Sequence, residues 1–214
     1  MEEKTTSQRP RPRKMPRQGR SAETVRAIVE AAARILEQDG LGGFTTNAVA
    51  ERAGVSIGSL YQYFPGKEAL IGALIVRETS LLIAECEAAV AGVSGREALK
   101  GIIASAVIHQ LRRPALARLL DLEEARLPFD EDTRRVTHRL RSILLSVLAR
   151  ADLPKQPDPD AAAQDVLAII KGMVDAAGER GEQDRDALAS RVGRAVYGYL
   201  DNAAWTGNRQ SPRC

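Results

Sequence analysis

The stretch Thr45–Phe64, TTNAVAERAGVSIGSLYQYF, decides how this chain folds. It divides into two short helical segments, which Gly54-Val55-Ser56 joins in a tight turn. Ala50 gives the first segment a small residue where the second has to cross it, and Gly54 gives the turn a residue that tolerates positive φ. The spacing therefore predicts two short helices that cross at a steep angle.

The inner faces of both segments carry the apolar side chains that such a crossing has to bury. They are Val49, Ala53, Val55, Leu60 and Tyr63. An ordinary helical hairpin inside a bundle uses the same kind of turn, but the second segment is short and its outward residues are small. A short helix with a small outer surface is typical of one that enters the DNA major groove. The sequence therefore predicts a helix-turn-helix that binds DNA.

The outward residues of the second segment are candidates for contacts to bases. Gly58 lies inside the segment, where glycine costs about 1 kcal/mol relative to alanine, and a close approach of the backbone to the groove gives a reason to keep it. Gln62 can pair with adenine through two hydrogen bonds, and Ile57 can touch the methyl group of thymine. Ser59 can hydrogen-bond to several bases, and Ser56 faces the same way. We predict that this face reads the DNA sequence.

Residues around this face are candidates for contacts to phosphates. The hydroxyls of Tyr61 and Tyr63 can donate to phosphate oxygens, and Lys67 adds a positive charge where the next helix begins. Thr45 or Thr46 caps the first segment, and the free amides of a helix N-terminus bind anions. For Tyr63, packing in the core is an equally good interpretation. Such contacts would position the protein on DNA without reading its sequence.

The positive charge of the chain is concentrated in its first third. Residues 1–70 contain 11 Lys/Arg and 8 Asp/Glu, whereas residues 71–214 contain 20 of each. No acidic residue occurs from 5 to 22, and the basic residues of this segment are Arg9, Arg11, Arg13, Lys14, Arg17 and Arg20. Such a segment attracts a polyanion, although an inert disordered tail has the same composition. We predict that Arg17 and Arg20, which lie nearest to the helix-turn-helix, contact DNA.

The hydrophobic pattern has a helical period along the rest of the chain. A helix is expected from Ser21 to Gly40 with a turn at 41–44 after it, and further helices at about 67–91, 95–111, 114–125, 131–151, 159–178 and 184–204. The fold class is therefore predicted to be all-α, with a three-helix helix-turn-helix domain and a larger helical domain. The expected divisions are a disordered basic arm at 1–20, the DNA-binding domain at 21–66, the helical domain at 67–205 and a flexible tail at 206–214.

A known family of regulators has the same pattern around the helix-turn-helix. The chain reads Phe44-Thr45-Thr46-x-x-Val49-Ala50-x-x-Ala53-Gly54-Val55-Ser56-x-Gly58-x-Leu60-Tyr61-x-Tyr63-Phe64-x-x-Lys67-x-x-Leu70. This stretch resembles the N-terminal DNA-binding domain of tetracycline-repressor-like (TetR family) regulators. The resemblance covers about residues 21–75, and the rest of the chain is similar only in its length and helical pattern.

The resemblance implies roles for several residues. The helix 57–63 would be the recognition helix, and the residues that contact the DNA backbone would be Thr45, Thr46, Tyr61, Tyr63 and Lys67. Position 63 is often His in the family, so the contact of Tyr63 stays open. The basic arm before Ser21 would follow the backbone or enter the minor groove. The family further implies a repressor that binds a palindromic operator as a homodimer and is released by a small-molecule effector. A helix-turn-helix DNA-binding protein without an effector is the alternative.

Two C-terminal segments carry apolar residues around almost their whole circumference, which predicts burial on more than one side. A chain of this size can bury one side of these segments in its own core, and a second copy of the chain can cover the other side. The predicted dimer-interface residues are Val166, Ile170, Val174, Val192, Val196 and Tyr199. A helix pair fully buried inside a monomer is the alternative. A dimer would hold two recognition helices one DNA turn apart, at about 34–36 Å.

The region 67–151 is then expected to hold a ligand pocket. Aromatic residues are scarce there, so an aliphatic wall with a few polar groups is expected in place of an aromatic cage for flat cations. His109 and Gln110 lie within an otherwise apolar segment and are the candidate polar groups. For His109, a satisfied position in the core is the alternative.

Enzymatic and metal-binding functions find no support in the sequence. None of the common nucleophile, phosphate-loop or zinc-ligand motifs occurs, and two histidines and two cysteines are scattered over 214 residues. We therefore expect no catalysis, no cofactor and no metal. The low cysteine content and the absence of an apolar signal segment favour the cytoplasm. No run approaches the roughly 20 apolar residues of a membrane span, so no membrane partner is expected.

Overall fold

The computed structural model describes residues 19–126 and 131–201, and all regular secondary structure in this part of the chain is α-helical. The helices are α1 Gly19–Gly43, α2 Thr46–Ala53, α3 Ile57–Tyr63, α4 Lys67–Val90, α5 Gly95–Arg112, α6 Pro114–Arg126, α7 Glu131–Leu148, α8 Pro159–Glu179 and α9 Arg185–Asp201. The predicted all-α fold class is confirmed. The expected arm at 1–20, apart from the backbone of its last two residues, and the expected tail at 206–214 lie outside the described residues.

The first helix differs from its prediction at both ends. It begins at Gly19 instead of Ser21, and it continues as far as Gly43. Gly40 has φ 61 and ψ −165, so the helix is interrupted at the predicted position. Residues 41–43 then resume a helical conformation, whereas a turn was predicted there. Phe44, which follows, is buried in the hydrophobic core that α1 shares with α2 and α3. This burial explains why the chain folds back towards α1 at this point.

The first hydrophobic core joins α1, α2 and α3. It buries Val49 and Ala50 of α2 and Leu60 of α3 against α1. Gly54 has φ 67, as the sequence predicted for the turn. Its N–H donates to the carbonyl of Glu51 (3.1 Å), and the N–H of Val55 donates to the carbonyl of Ala50 (3.0 Å). These bonds satisfy the last carbonyls of α2 and fix the direction in which α3 leaves the turn.

Helix α4 belongs to two hydrophobic cores. Its first turns place Leu70 and Leu74 in the first core, together with Leu116 of α6. Its later turns place Ile83 and Cys86 in the second core. Helix α4 begins at Lys67, as predicted, and hydrophobic packing continues across the expected domain division at residue 66.

The second core lies among α4, α5, α7, α8 and α9. Its most deeply buried side chains include Leu99 of α5, Leu144 of α7, Val166 of α8 and Val192 of α9. Within 19–126 and 131–201, no helix has both the length and the hydropathy needed to cross a membrane.

Replacing Gly54 by Ala tests the turn that orients α3. We expect a loss of about 1–2 kcal/mol in the free energy of unfolding, because a Cβ is disfavoured at this left-handed φ. No atom lies within 4 Å of the position that the Cβ would take, so the loss would measure backbone strain alone. Urea unfolding gives the value. Gly54→Asn is the matched control and should lose less, since Asn tolerates this conformation. If Gly54→Ala is as stable as the wild type, the left-handed φ of Gly54 does not require glycine.

Candidate DNA-binding face and ligand cavity

Helices α2 and α3 are each fixed at the N-terminus by a side-chain cap. The Thr45 hydroxyl accepts a hydrogen bond from the N–H of Ala48 (3.1 Å), so Thr45 and not Thr46 is the cap of α2. The Ser56 hydroxyl accepts from the N–H of Ser59 (3.1 Å), and the two serine hydroxyls lie 2.9 Å apart. The hydroxyls of Ser56 and Ser59 are therefore already engaged with each other before any partner arrives.

The outward face of α3 is exposed, and two large side chains give it more surface than the sequence predicted. Ile57 is 38% exposed and Tyr61 is 41% exposed, and Gly58 and Gln62 beside them are also exposed. Leu60, on the opposite side of the same helix, is fully buried. The face formed by Ile57, Gly58, Tyr61 and Gln62 is therefore available for contact with another molecule, and we name it the α3 face.

Gly58 is not required by the packing of its own chain. The nearest atom to a Cβ built at this position is the Ser56 hydroxyl, 3.9 Å away. Its φ lies outside the left-handed region, in which the structure has other glycines. An alanine would therefore fit, and the choice of glycine points to a surface that approaches this backbone from outside.

Two tyrosine hydroxyls tie α3 to its neighbours. The Tyr61 hydroxyl lies 3.2 Å from the hydroxyl of Thr46, which links the exposed side of α3 to the start of α2. The half-buried Tyr63 hydroxyl lies 2.8 Å from the hydroxyl of Ser21, at the start of α1. Tyr63 therefore has a structural role between α3 and α1, and its contact with DNA stays a prediction.

The remaining predicted DNA contacts lie at the edges of this region. Lys67 is the first residue of α4, and its side chain is exposed. Arg20 belongs to the first turn of α1, but its side chain lies outside the described part of the structure. Arg17 lies outside the described residues altogether. Their contacts with DNA stay predictions.

The predicted residues of the dimer interface have to be corrected. Five of the six are at most 4% exposed and lie in the core of a single chain. They are Val166, Ile170, Val174, Val192 and Val196. Side chains that their own chain already covers leave almost no surface for a partner, so the prediction named the wrong face of α8 and α9. Tyr199 is partly exposed, and its hydroxyl donates to the Asp165 carboxylate (2.7 Å).

The opposite side of α8 carries small and apolar residues. Ala168 and Gly172 are exposed, and Ile169, Met173 and Ala176 are half-buried. No atom lies within 4 Å of the position that a Cβ on Gly172 would take. These five residues form what we name the outer face of α8, and a helix of another molecule can approach its backbone closely there.

A cavity of about 320 Å³, partly open to solvent, lies among α4, α5, α6, α7 and α8. Most of its wall is aliphatic, as expected, and consists of Ile75, Leu82, Ile102, Ala106, Leu116, Ala117, Leu120, Leu140, Leu167, Ile170 and Val174 with the thiol of Cys86. The sequence prediction restricted the pocket to residues 67–151 and so missed the contribution of α8. The apolar residues of α8 are distant in the sequence from residues 67–151, and their pattern alone does not indicate which cavity they line.

His109 and Gln110 both line this cavity, although their binding to a ligand stays a prediction. Gln110 is 7% exposed, and its amide nitrogen lies 3.5 Å from the Asp121 carboxylate, which is long for a hydrogen bond. The Nδ1 atom of His109 is buried and has no hydrogen-bond partner among the described residues. Burial lowers the pKa of the His109 imidazole, although Glu78 and Glu85 act in the opposite direction. The ring is therefore neutral at pH 7 and keeps an unused polar atom.

Arg113 connects the cavity wall to α1. Its guanidinium donates two hydrogen bonds to the Glu37 carboxylate, with lengths of 2.6 and 2.5 Å, and lies 3.5 Å from Glu30. The same side chain lines the cavity. Arg113 is the C-cap of α5, a position at which a positive charge favours the helix dipole. The ion pair was missed because its acidic partner lies 76 residues upstream.

Glu30 extends this connection to α4. Its carboxylate accepts a hydrogen bond from Arg77 (3.1 Å) and also lies next to Arg34. Burial acts to raise the pKa of the Glu30 carboxyl, but the hydrogen bond from Arg34 and the charges of Arg113 and Arg77 lower it overall. Glu30 is therefore ionised at neutral pH. We name Glu30, Glu37, Arg77 and Arg113 the α1 latch.

Two family models match the chain, one as far as the first turns of α4 and the other from the start of α5. The model described as "Bacterial regulatory proteins, tetR family" matches residues 28–74. The model described as "Tetracyclin repressor-like, C-terminal domain" matches residues 96–200. The first match contains the helix-turn-helix, and the second contains α5 to α9 up to residue 200.

Curated relatives and solved structures agree with these matches. The transcriptional repressor KstR of Mycobacterium tuberculosis is 28% identical over 134 residues, which are 62% of this chain and 60% of KstR. The chain therefore spans less than two thirds of the length of this relative. The fatty acid degradation regulator FadR of Bacillus halodurans has a TM-score of 0.71 at 19% identity, with 83% of this chain and 96% of that chain covered.

FadR of Bacillus subtilis, solved in complex with stearoyl-CoA, has a TM-score of 0.66 at 20% identity, with 80% of this chain and 97% of that chain covered. At these identities the solved structures support the fold. The two family models, which match residues 28–74 and 96–200, establish that the chain belongs to the TetR family of bacterial regulatory proteins.

Proposed function

We propose that this protein is a transcriptional repressor that binds a palindromic operator as a homodimer and releases it when a small molecule enters the cavity. The observation that carries the proposal is the α3 face, which is exposed, contains a glycine that the fold does not require, and belongs to a helix-turn-helix. DNA binding implies a location in the cytoplasm, where the operator is accessible.

Base reading is assigned to the α3 face. Gln62 has the amide that pairs with adenine, and Ile57 offers an apolar contact to a thymine methyl group. Ser59 keeps a hydroxyl near the groove, although Ser56 engages it in the free protein. Close packing of the DNA against Gly58 would bring these side chains within reach of the base edges.

Phosphate contacts are assigned to the rim of the same region. Tyr61 and Thr46 present neighbouring hydroxyls, and the N-terminus of α2 presents free amides next to Thr45. Lys67 adds an exposed positive charge at the start of α4, which follows α3 in the chain. The basic residues before Ser21, among them Arg17 and Arg20, would extend this surface along the DNA backbone.

Dimerisation is assigned to the outer face of α8 together with the exposed side of α9. Small residues such as Ala168 and Gly172 allow two helices to approach closely, and Ile169 and Met173 supply apolar surface beside them. The proposed interface uses the two helices predicted from the sequence, α8 and α9, but different residues on them. Two copies related by a twofold axis would read two inverted half-sites.

Release of the operator is assigned to the α1 latch. Arg113 touches both the cavity and the α1 carboxylates, so a ligand that displaces its guanidinium would loosen α1 and with it the helix-turn-helix. Because the cavity and the latch share this side chain, they favour an effector-controlled regulator over a DNA-binding protein without an effector.

Selection of bound duplexes from a random DNA library tests the proposed function. The purified full-length chain should enrich an inverted repeat whose half-sites are centred about one helical turn apart, roughly 34–36 Å. Binding should weaken steeply as salt is raised, because counterions are released from the phosphates. Failure to enrich any sequence would contradict the proposal.

Gly58→Ala separates folding from DNA binding. The free energy of unfolding should rise by up to about 1 kcal/mol, because alanine is the better helix former and fits without a clash. Operator affinity should fall by about tenfold or more, since the added methyl group holds the backbone away from the bases. Thermal unfolding and fluorescence anisotropy give the two values. A variant that is more stable and binds as tightly as wild type would remove Gly58 from the interface.

Gly172→Glu tests the outer face of α8. A Cβ at this exposed position meets no atom of the described residues within 4 Å, so the monomer should keep its helical circular dichroism. The charge should prevent a partner helix from packing there, and sedimentation analysis should find monomers. Ala88→Glu, at an exposed position of α4, is the control that should remain dimeric. If Gly172→Glu is still a dimer, the interface lies elsewhere.

Arg113→Ala tests the α1 latch. Loss of the guanidinium leaves Glu37 half-buried without its main partner, and operator affinity should fall about tenfold if the coupling is worth roughly 1.4 kcal/mol. Arg112→Ala is the matched control, because the neighbouring Arg112 pairs with Glu85 of α4 instead of α1. Equal affinities of the two variants would argue against a role for the latch.

A further inference from the structure

We propose that the cavity binds a compact aliphatic ligand whose protonated amine lies against the carboxylates of Asp121 and Asp175. This inference rests on the proposed function in taking the cavity as the effector site, and it adds the chemical class of the effector. It is carried by the charges on the cavity wall, by the unused polar atom of His109 and by the aliphatic character of the remaining wall.

The charged residues of the wall are predominantly acidic. Four carboxylates line the cavity, on Glu78, Asp121, Glu124 and Asp175, against two cationic side chains, on Arg113 and Lys171. Arg113 is already bound by Glu37 and Glu30 of α1, and Glu78 is likewise bound by Arg77 of α4, and these three partners are not part of the wall. Within the lining, Lys171 therefore remains as the cation that faces the carboxylates.

Lys171 is shared between two of these carboxylates. Its ammonium lies 2.7 Å from Asp121 and 3.0 Å from Asp175, and 4.0 Å from Glu124. One positive charge therefore faces at least two negative charges at close range. Burial, together with the charges of Asp121 and Glu179, raises the pKa of the Asp175 carboxyl in spite of Lys171. A second cation at this end of the cavity would relieve the repulsion between the carboxylates.

His109 supplies a neutral hydrogen-bonding group to the same wall. The buried Nδ1 atom has no partner within the described residues, and burial keeps the imidazole neutral. Gln110, its neighbour, is held weakly, with its amide 3.5 Å from Asp121. An alkylammonium group has three N–H donors, which suits a site with two carboxylates and a ring nitrogen able to accept.

The rest of the wall fits an aliphatic body. It is built from leucine, isoleucine, valine and alanine side chains, and no phenylalanine, tyrosine or tryptophan is among the described residues that line it. A quaternary ammonium ion, which cannot donate hydrogen bonds and depends on aromatic rings, is therefore a poor match. No group of three or more His, Cys, Asp or Glu residues in the described part of the chain has the arrangement of a metal site.

The same wall disfavours polyanionic ligands. FadR of Bacillus subtilis was solved with stearoyl-CoA, and a coenzyme A thioester carries several phosphate groups. Such a ligand would need cations to neutralise it, whereas Lys171 and Arg113 are both bound to carboxylates here. The cavity of this chain therefore differs in charge from a site for a CoA thioester, although the folds are similar.

A charge series on one aliphatic chain tests the proposal. Binding of octan-1-amine, octan-1-ol, octanoate and octanoyl-CoA to the full-length protein is measured by isothermal titration calorimetry at pH 7. The amine should bind about tenfold or more tightly than the alcohol, because a charged hydrogen bond is worth more than a neutral one. Octanoate and octanoyl-CoA should bind more weakly than the alcohol. Tighter binding of either anion, or no binding of the amine at millimolar concentration, would overturn the proposal.

Variants of the carboxylates show whether the preference arises at this end of the cavity. Asp121→Asn and Asp175→Asn should bring the affinity for the amine towards that for the alcohol, while binding of the alcohol itself reports that the cavity is intact. Asp160→Asn is the matched control, since Asp160 is an exposed acidic residue of α8 that does not line the cavity. An unchanged amine preference in the Asp121→Asn/Asp175→Asn double variant would overturn the assignment.

Operator release is measured separately with the same four compounds. Amine binding without release would overturn the role of the cavity as the effector site and leave the ligand class intact. Release by octanoate or octanoyl-CoA would overturn the ligand class and leave the effector role intact. The two proposals therefore fail in distinguishable ways.

Discussion

Helix α4 is the element on which both halves of the structure depend. Leu70 and Leu74 are buried with the helix-turn-helix, and Ile83 and Cys86 are buried with the helices around the cavity. Because packed interiors do not deform continuously, a shift of α4 in one core has to move side chains in the other.

The α1 latch is a second connection beside α4. Arg77 of α4 and Arg113, next to the cavity, both reach Glu30 of α1. The carboxylates of α1 are thus held by two cations that belong to the other half of the molecule. Hydrophobic packing along α4 and ion pairing with α1 therefore connect the cavity to the helix-turn-helix by two physical routes.

Local sequence signals were sufficient for the helix-turn-helix. The positive φ of Gly54, the cap at Thr45 and the burial of Leu60 each depend on residues a few positions apart. Such short-range constraints can be read from one sequence, because propensity, capping and hydrophobic period all act within a turn or two of helix. Gly40 was also recognised as a break, but the extra helical turn after it depends on tertiary contacts of Phe44.

Features that depend on distant residues could not be predicted. An apolar residue such as Val166 or Val196 looks the same in sequence whether its own chain or a partner buries it, and here its own chain does. The pairing of Arg113 with Glu37 and the meeting of Lys171 with Asp121 join residues 76 and 50 positions apart. His109 and Gln110 were found because two polar residues stood out within an apolar helix.

Reading of bases by the α3 face is the central claim, and the DNA preference of a Gln62→Ala variant tests it most directly. Library selection is carried out in parallel with the wild-type chain and the variant. We expect the variant to select the same inverted repeat but to lose the preference for one base at one symmetric position of each half-site, where the wild type selects adenine. Identical sequence preferences for the two proteins would contradict the claim that this face reads the operator.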